Sequence, residues 1–140
     1  MALKSSNIKT LKDINNKTIS LNPNANGIAI KAMLKSNNIE YIPVPSDFNL
    51  SRLINKEIDL HSGYISNEPF LLQKRGLESV IFDPKDYGFE GYGDILYTSK
   101  EMLKKEPDVV KKIYEASLKG WRYAYSHIDQ SVDIDRKSVV

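Results

Sequence analysis

The feature that most limits the folds open to this chain is a repeated alternation of extended and helical patterns between residues 18 and 82. Thr18-Ile19-Ser20-Leu21 alternates apolar and polar positions with β-branched residues, which predicts a short strand. After the turn Asn22-Pro23-Asn24-Ala25-Asn26-Gly27, apolar groups recur at helical spacing at Ile28, Ala29, Ala32 and Met33, and Ser36-Asn37-Asn38 ends the run. Tyr41-Ile42-Pro43-Val44 is extended, with prolines that suit a sheet edge. Asp47 and Asn49 offer caps to a short helix carrying Leu50, Leu53 and Ile54. Residues 58–64 predict a third strand. Asn67-Glu68-Pro69 opens a helix that Gly76 closes, and Val80-Ile81-Phe82 follows as a fourth strand. Strand–helix alternation of this kind predicts an α/β fold with a parallel-type sheet covered by helices.

Residues 83–93 break the rhythm with two turn-forming aspartates, Asp83 and Asp86, around Pro84, and three glycines at 88, 91 and 93. A strand is expected at Ile95-Leu96-Tyr97-Thr98, then a Ser99-capped helix with Met102 and Leu103. A longer helix starts at Glu106-Pro107, and Val109, Val110, Ile113, Tyr114, Leu118, Trp121 and Tyr125 predict one broad buried stripe. Gly120 within it suggests a close backbone approach, since a helical glycine costs about 1 kcal/mol against alanine. Residues 135–140 leave the pattern, match a translated sequencing-adapter string, and are expected to be an artefactual tail outside the fold.

Composition removes several functions. With no cysteine there is no disulfide, thiol nucleophile or thiolate metal site, and two histidines, His61 and His127, are too few for a His-rich one. No metal or other cofactor is expected. No apolar run approaches the roughly 20 residues of a membrane span. Residues 1–70 carry 8 basic and 6 acidic groups and residues 71–140 carry 12 of each, so no stripe for nucleic acid is expected. The serines lack a nucleophile-elbow setting. His61 reads as a packed or surface imidazole, and His127 as a cation at a helix end.

Ligands of open α/β sheets bind beyond the carboxyl ends of the strands. Three junctions qualify: 22–27, 45–49 and 63–69. In the first, Asn24, Asn26 and the Gly27 N–H either contact a polar ligand or simply make a capped turn. In the third, Tyr64 could stack on a flat ring, Asn67 could donate and accept, and Glu68 could accept from an amino or ring N–H. Asn67 and Glu68 equally suit a helix start, and the local sequence does not choose between the two readings.

Several segments together carry a family resemblance. Residues 11–19 (LKDINNKTI), the helix at 29–34, and 53–59 (LINKEID) contribute, as do Gly63-Tyr64-Ile65-Ser66-Asn67-Glu68-Pro69, residues 92–99 (YGDILYTS) and Pro107 to Trp121. They resemble ABC-transporter substrate-binding proteins of the thiamine-pyrimidine-precursor and sulfonate type, and related sensor input domains, over about Leu11 to Ile134. The resemblance implies a type II periplasmic binding-protein fold truncated at the N-terminus. Residues 18–84 would form most of the second lobe, residues 87–93 a hinge crossing with Gly91, Tyr92 and Gly93, and residues 94–134 a return to the first lobe. Apolar surface such as Ile113, Leu118 and Trp121 would then be left uncovered. The resemblance further implies an extracytoplasmic, non-catalytic domain that binds a small polar nitrogen-containing metabolite, with Glu68 contacting an amino-pyrimidine-like ring beside Tyr64 and Asn67. Its partner would be an ABC permease or a signalling domain. A pyrimidine-precursor synthase-like enzyme, or an interaction module without a small ligand, is the alternative.

Overall fold

The structure, a computed structural model, describes residues 1–21, 25–46, 49–89 and 95–138, with the backbone alone at 25, 26, 137 and 138. Two compact units divide the chain, Met1–Gly91 and Tyr92–Val140.

The first unit contains β1 (Ala2–Leu3), β2 (Lys17–Leu21), α1 (Ala25–Ser36), β3 (Tyr41–Pro45), α2 (Ser51–Ile54), β4 (Leu60–His61), α3 (Glu68–Gln73) and β5 (Ser79–Val80). These strands make one sheet in the order β3-β2-β4-β1-β5. Strand β2 runs parallel to β3, from Lys17 opposite Tyr41 to Leu21 opposite Pro45, and parallel to β4, with Ser20 opposite His61. Strand β1 is antiparallel to both its neighbours, so the fold is mixed α/β with four strands pointing one way and one reversed. The sheet is thus mostly parallel, as the strand–helix alternation predicts, and the reversed β1 is an addition the sequence did not signal. Ala2-Leu3 is too short to show a period, and its burial comes entirely from long-range pairing with β4 and β5.

Local chemistry explains most of the other boundaries. Pro43 and Pro45 lack the N–H that a second neighbour would need, and β3 pairs only with β2. Helix α1 stops where Asn38 turns left-handed, at φ 55°, and the Asn37 amide donates to the Met33 carbonyl at 2.9 Å. Helix α3 has Pro69 in its first turn and stops at Gln73, and the chain then turns away through Gly76, φ 72°, with the Leu77 N–H returning to the Leu72 carbonyl at 3.0 Å. Thr10 and Asp13 form a capping box that sets the turn Leu11–Ile14 and seats Leu11 and Ile14 in the core.

The sheet carries an apolar core on each face. Ile19, Leu21 and Leu60 pack with Met33 and Leu34 of α1 and with Ile14, while Leu3 packs with Leu53 of α2, Ile58 and Leu72 of α3. Register across the sheet is fastened by Thr18 and Asp59. The Asp59 carboxylate accepts from the Thr18 N–H at 2.9 Å and its hydroxyl at 2.7 Å, and the Asp59 N–H donates to the Thr18 hydroxyl at 2.9 Å.

The second unit contains α4 (Lys100–Lys105), α5 (Pro107–Ser126) and α6 (Ile128–Ser138). Ser99 caps α4, its hydroxyl accepting from the Met102 N–H at 3.0 Å. Three sequence expectations fail here. Residues 95–98 form no strand, and Tyr97 stands 88% exposed, because no described strand lies alongside to pair with them. The α5 stripe is amphipathic but buries nothing fully, against the buried stripe expected from its spacing: Ile113 and Trp121 are about half exposed or more and Leu118 is half-buried, the uncovered apolar surface that the resemblance implied. Nothing described approaches Gly120 within 4 Å of where a Cβ would sit, so no close packing explains that glycine. Helix α6 runs to Ser138 and so includes residues 135–138.

Candidate functional site

Because β2, β3 and β4 are parallel and paired in register, they end together, at Leu21, Pro45 and His61, on one edge of the sheet. Two of the three expected junctions are only partly described. Asn24 and Asp47 lie outside the described residues, as do Gly91, Tyr92 and Gly93. Helix α1 begins at Ala25, earlier than the apolar spacing suggested, so Asn26 and Gly27 stand inside its first turn, and Gly27 is buried.

The third junction is complete and brings Tyr64, Asn67 and Glu68 together. The Tyr64 carbonyl accepts from the N–H groups of Asn67 and Glu68 at 3.0 and 3.3 Å, closing a turn between β4 and α3. Glu68 then reaches back over that turn, and its Oε2 accepts from the Tyr64 N–H at 2.6 Å. Asn67 precedes the helix but makes no capping bond. Its amide nitrogen lies 3.3 Å from Glu68 Oε1 instead. The Tyr64 side chain is 52% exposed, Asn67 is exposed, and Glu68 is half-buried at the rim. A carboxylate, an amide and an accessible aromatic ring therefore share one short turn. Such a set can accept from N–H donors, exchange hydrogen bonds with a polar group, and offer a π-face.

Gly63 is what lets Glu68 fold back. A Cβ there would sit 2.6 Å from Glu68 Cδ and Oε2 and 2.9 Å from Cγ. The Met1 amino group donates to the His61 carbonyl at 2.9 Å, and burial lowers its pKa to about 6, an effect the Glu68 carboxylate partly opposes.

A second group holds residues to which the sequence assigned no binding role, and His61 is packed, as one of its two readings expected. Ser20, His61 and Ser62 are the buried polar residues among those described, and all three stand at the carboxyl ends of β2 and β4, beside the rim. Ser20 is fully buried between Ile19 and Leu21, and its hydroxyl has no hydrogen-bond partner among the described residues. A hydroxyl left so costs about 1–3 kcal/mol. The signal was available in principle, as a polar residue inside an otherwise apolar strand end followed in register by His61-Ser62. A cavity of about 20 Å³, the size of a single water, lies beside His61 and Ser62.

A second hollow lies elsewhere. A broad open groove of about 470 Å³ is lined by Lys31, Lys35, Ile39, Glu40 and Tyr41, at the amino ends of β2 and β3. Open α/β sheets place ligands at the opposite, carboxyl end. His127 closes α5 with its ring stacked on Tyr123 at 4.2 Å and Nδ1 3.1 Å from the Tyr123 carbonyl, a helix-end role. No described group of three or more His, Asp or Glu side chains is arranged to hold a metal ion. No described helix is long and apolar enough to cross a membrane.

The unit is mixed α/β, consistent with a periplasmic binding-protein-like fold, and gathers polar side chains at the carboxyl edge of its strands. A family model described as NMT1/THI5 like matches residues 1–131, and the chain belongs to that family of substrate-binding proteins of the thiamine-precursor and sulfonate type. No curated protein matches the chain at a significant level.

Proposed function

We propose that the chain is a solute-binding domain for a small, polar, nitrogen-containing metabolite, pyrimidine-precursor-like, bound at the rim where Tyr64, Asn67 and Glu68 meet. The observation that carries this reading is the register of the sheet. Parallel pairing delivers the ends of β2, β3 and β4 to one edge, and the turn at 63–68 rises from that edge. Amide chemistry with one carboxylate suits a neutral or cationic nitrogen heterocycle, because Glu68 accepts from N–H groups and repels an anion.

In this reading residues 18–84 belong to one lobe, residues 87–93, with Gly91, Tyr92 and Gly93, to a hinge crossing, and residues 94–134 to the other lobe. Asn24, Asn26 and Gly27 contribute from the neighbouring junction. Ligand binding shifts an open–closed equilibrium, and an ABC permease or a downstream signalling domain reads the closed form on the outer side of the membrane. The domain performs no chemistry on its ligand. A thermal-shift series with aminopyrimidines, amines and sulfonates tests the ligand class. An aminopyrimidine should raise the melting temperature most, and Glu68→Gln should abolish that rise. An unchanged rise in the variant discards Glu68 as a ligand contact.

A further inference from the structure

We propose that Gly63 is a positioning residue for the Glu68 carboxylate, and that the bare backbone at 63 is what leaves a single oxygen, Oε1, to meet an N–H or ammonium group of the solute. This rests on the reading of the rim as a solute site, and adds to it the residue that sets how Glu68 is presented. The argument is steric. Non-bonded carbons approach to about 3.5–4 Å, whereas the Glu68 Cδ lies 2.6 Å from where a side chain at 63 would begin. Without that side chain, the carboxylate settles against the Gly63–Tyr64 backbone, and the Tyr64 N–H holds Oε2 at 2.6 Å. This is a charge-assisted bond at the short end of its range.

One oxygen is thereby engaged by the protein itself. The other, Oε1, accepts only a long bond from the Asn67 amide at 3.3 Å and keeps capacity for an N–H or ammonium donor. A single N–H or ammonium donor needs only that oxygen. A fork donor such as an amidinium spans both oxygens and competes with the Tyr64 N–H for Oε2. The site as built therefore favours amino and ring N–H groups over amidinium and guanidinium groups.

The test uses Gly63→Ala in the whole chain, with two readouts. An amide proton bonded to a carboxylate moves when that carboxylate titrates, so the Tyr64 resonance should follow pH in the wild type. It should lose that dependence in both Gly63→Ala and Glu68→Gln. With 4-aminopyrimidine as the probe, Gly63→Ala should weaken binding about tenfold, the equivalent of one displaced charge-assisted hydrogen bond. A Tyr64 titration unchanged by Gly63→Ala, or wild-type affinity for the probe in that variant, overturns the proposal. If the wild type does not bind 4-aminopyrimidine, the ligand class proposed above fails while the Tyr64 titration still decides the role of Gly63. If Gly63→Ala does not fold, the double variant Gly63→Ala/Glu68→Ala decides. A folded double variant confirms the overlap with Glu68, and an unfolded one overturns it.

Discussion

Replacing Asp59 with alanine removes the acceptor that ties β2 to the segment entering β4, 41 residues away in sequence. Two donors lose their partner together, the Thr18 N–H at 2.9 Å and the Thr18 hydroxyl at 2.7 Å. A hydrogen bond to a charged group contributes about 1.5–3 kcal/mol when water is excluded. Both residues are half-buried, so water recovers part of that, and about 2 kcal/mol is the expected loss for the pair. Thr18→Val keeps the backbone bond and the shape of the side chain but loses the two bonds of the hydroxyl, for about 1 kcal/mol. The two changes share a bond, so the double variant should cost about 1 kcal/mol less than their sum. Fluorescence is a poor probe, because the single tryptophan, Trp121, sits in the second unit. Residue-resolved hydrogen exchange of β2 amides such as Ile19 and Ser20 reads the first unit directly. A loss of 2 kcal/mol appears there as an exchange rate about thirtyfold faster. An Asp59→Ala effect below about 0.5 kcal/mol, or strict additivity with Thr18→Val, refutes the claim that this pair fastens the strand register.

Three further outcomes are expected. Leu34→Ala deletes a fully buried side chain from the core beneath α1, and should lower the stability of the first unit by about 2–5 kcal/mol in the same exchange experiment. Gly120→Ala meets nothing within 4 Å and replaces a poor helix former; it should stabilise α5 by up to about 1 kcal/mol, read from the Trp121 melting curve, and a loss would point to an unseen close contact. The Asp13 carboxyl is held below its ordinary range by the Thr10 N–H first, then the Thr10 hydroxyl and the Lys9 N–H. The folded state therefore binds its proton less readily than the unfolded chain. The stabilisation this gives is complete above the unfolded pKa and is lost as pH falls through the lower folded value. A carbon-detected titration placing Asp13 at or above an ordinary aspartate value would contradict the capping box.

What the sequence discloses about the fold is mostly its punctuation. Pro43 and Pro45 mark an edge strand because a missing N–H has the same consequence in any context. Pro69 and Gly76 bracket α3 because the first turn and the left-handed stop are local requirements. Ala2-Leu3 gives no such signal: two residues carry no period, and their central place in the sheet is decided by partners about 60 and 80 residues away. The α5 spacing fails in a different way. Helical periodicity specifies that one face is apolar, but not that anything described covers it, and Trp121 remains 59% exposed. The same reasoning accounts for residues 95–98, whose strand-like composition is realised only where a neighbouring strand offers its backbone.

At the rim, the local sequence left Asn67 and Glu68 balanced between helix capping and ligand contact, and distances alter that balance without deciding it. A capping asparagine turns its side-chain oxygen onto the N–H groups of the first turn. Asn67 does not, and its amide lies against Glu68 instead. Glu68 also bonds to the Tyr64 N–H, which precedes the helix, rather than serving the helix itself. The carboxylate is therefore a stiffened group at the surface, partly desolvated and held over a glycine, in a unit whose remaining buried polar side chains, Ser20, His61 and Ser62, cluster at the same strand ends. Cores elsewhere in this unit are apolar on both faces of the sheet. Stability alone gives no reason to leave the Ser20 hydroxyl buried without a partner among the described residues at that edge, since such a group subtracts from a small net stability. A requirement to meet a polar partner at that edge does give one, and parallel register is what brings the separate segments to it.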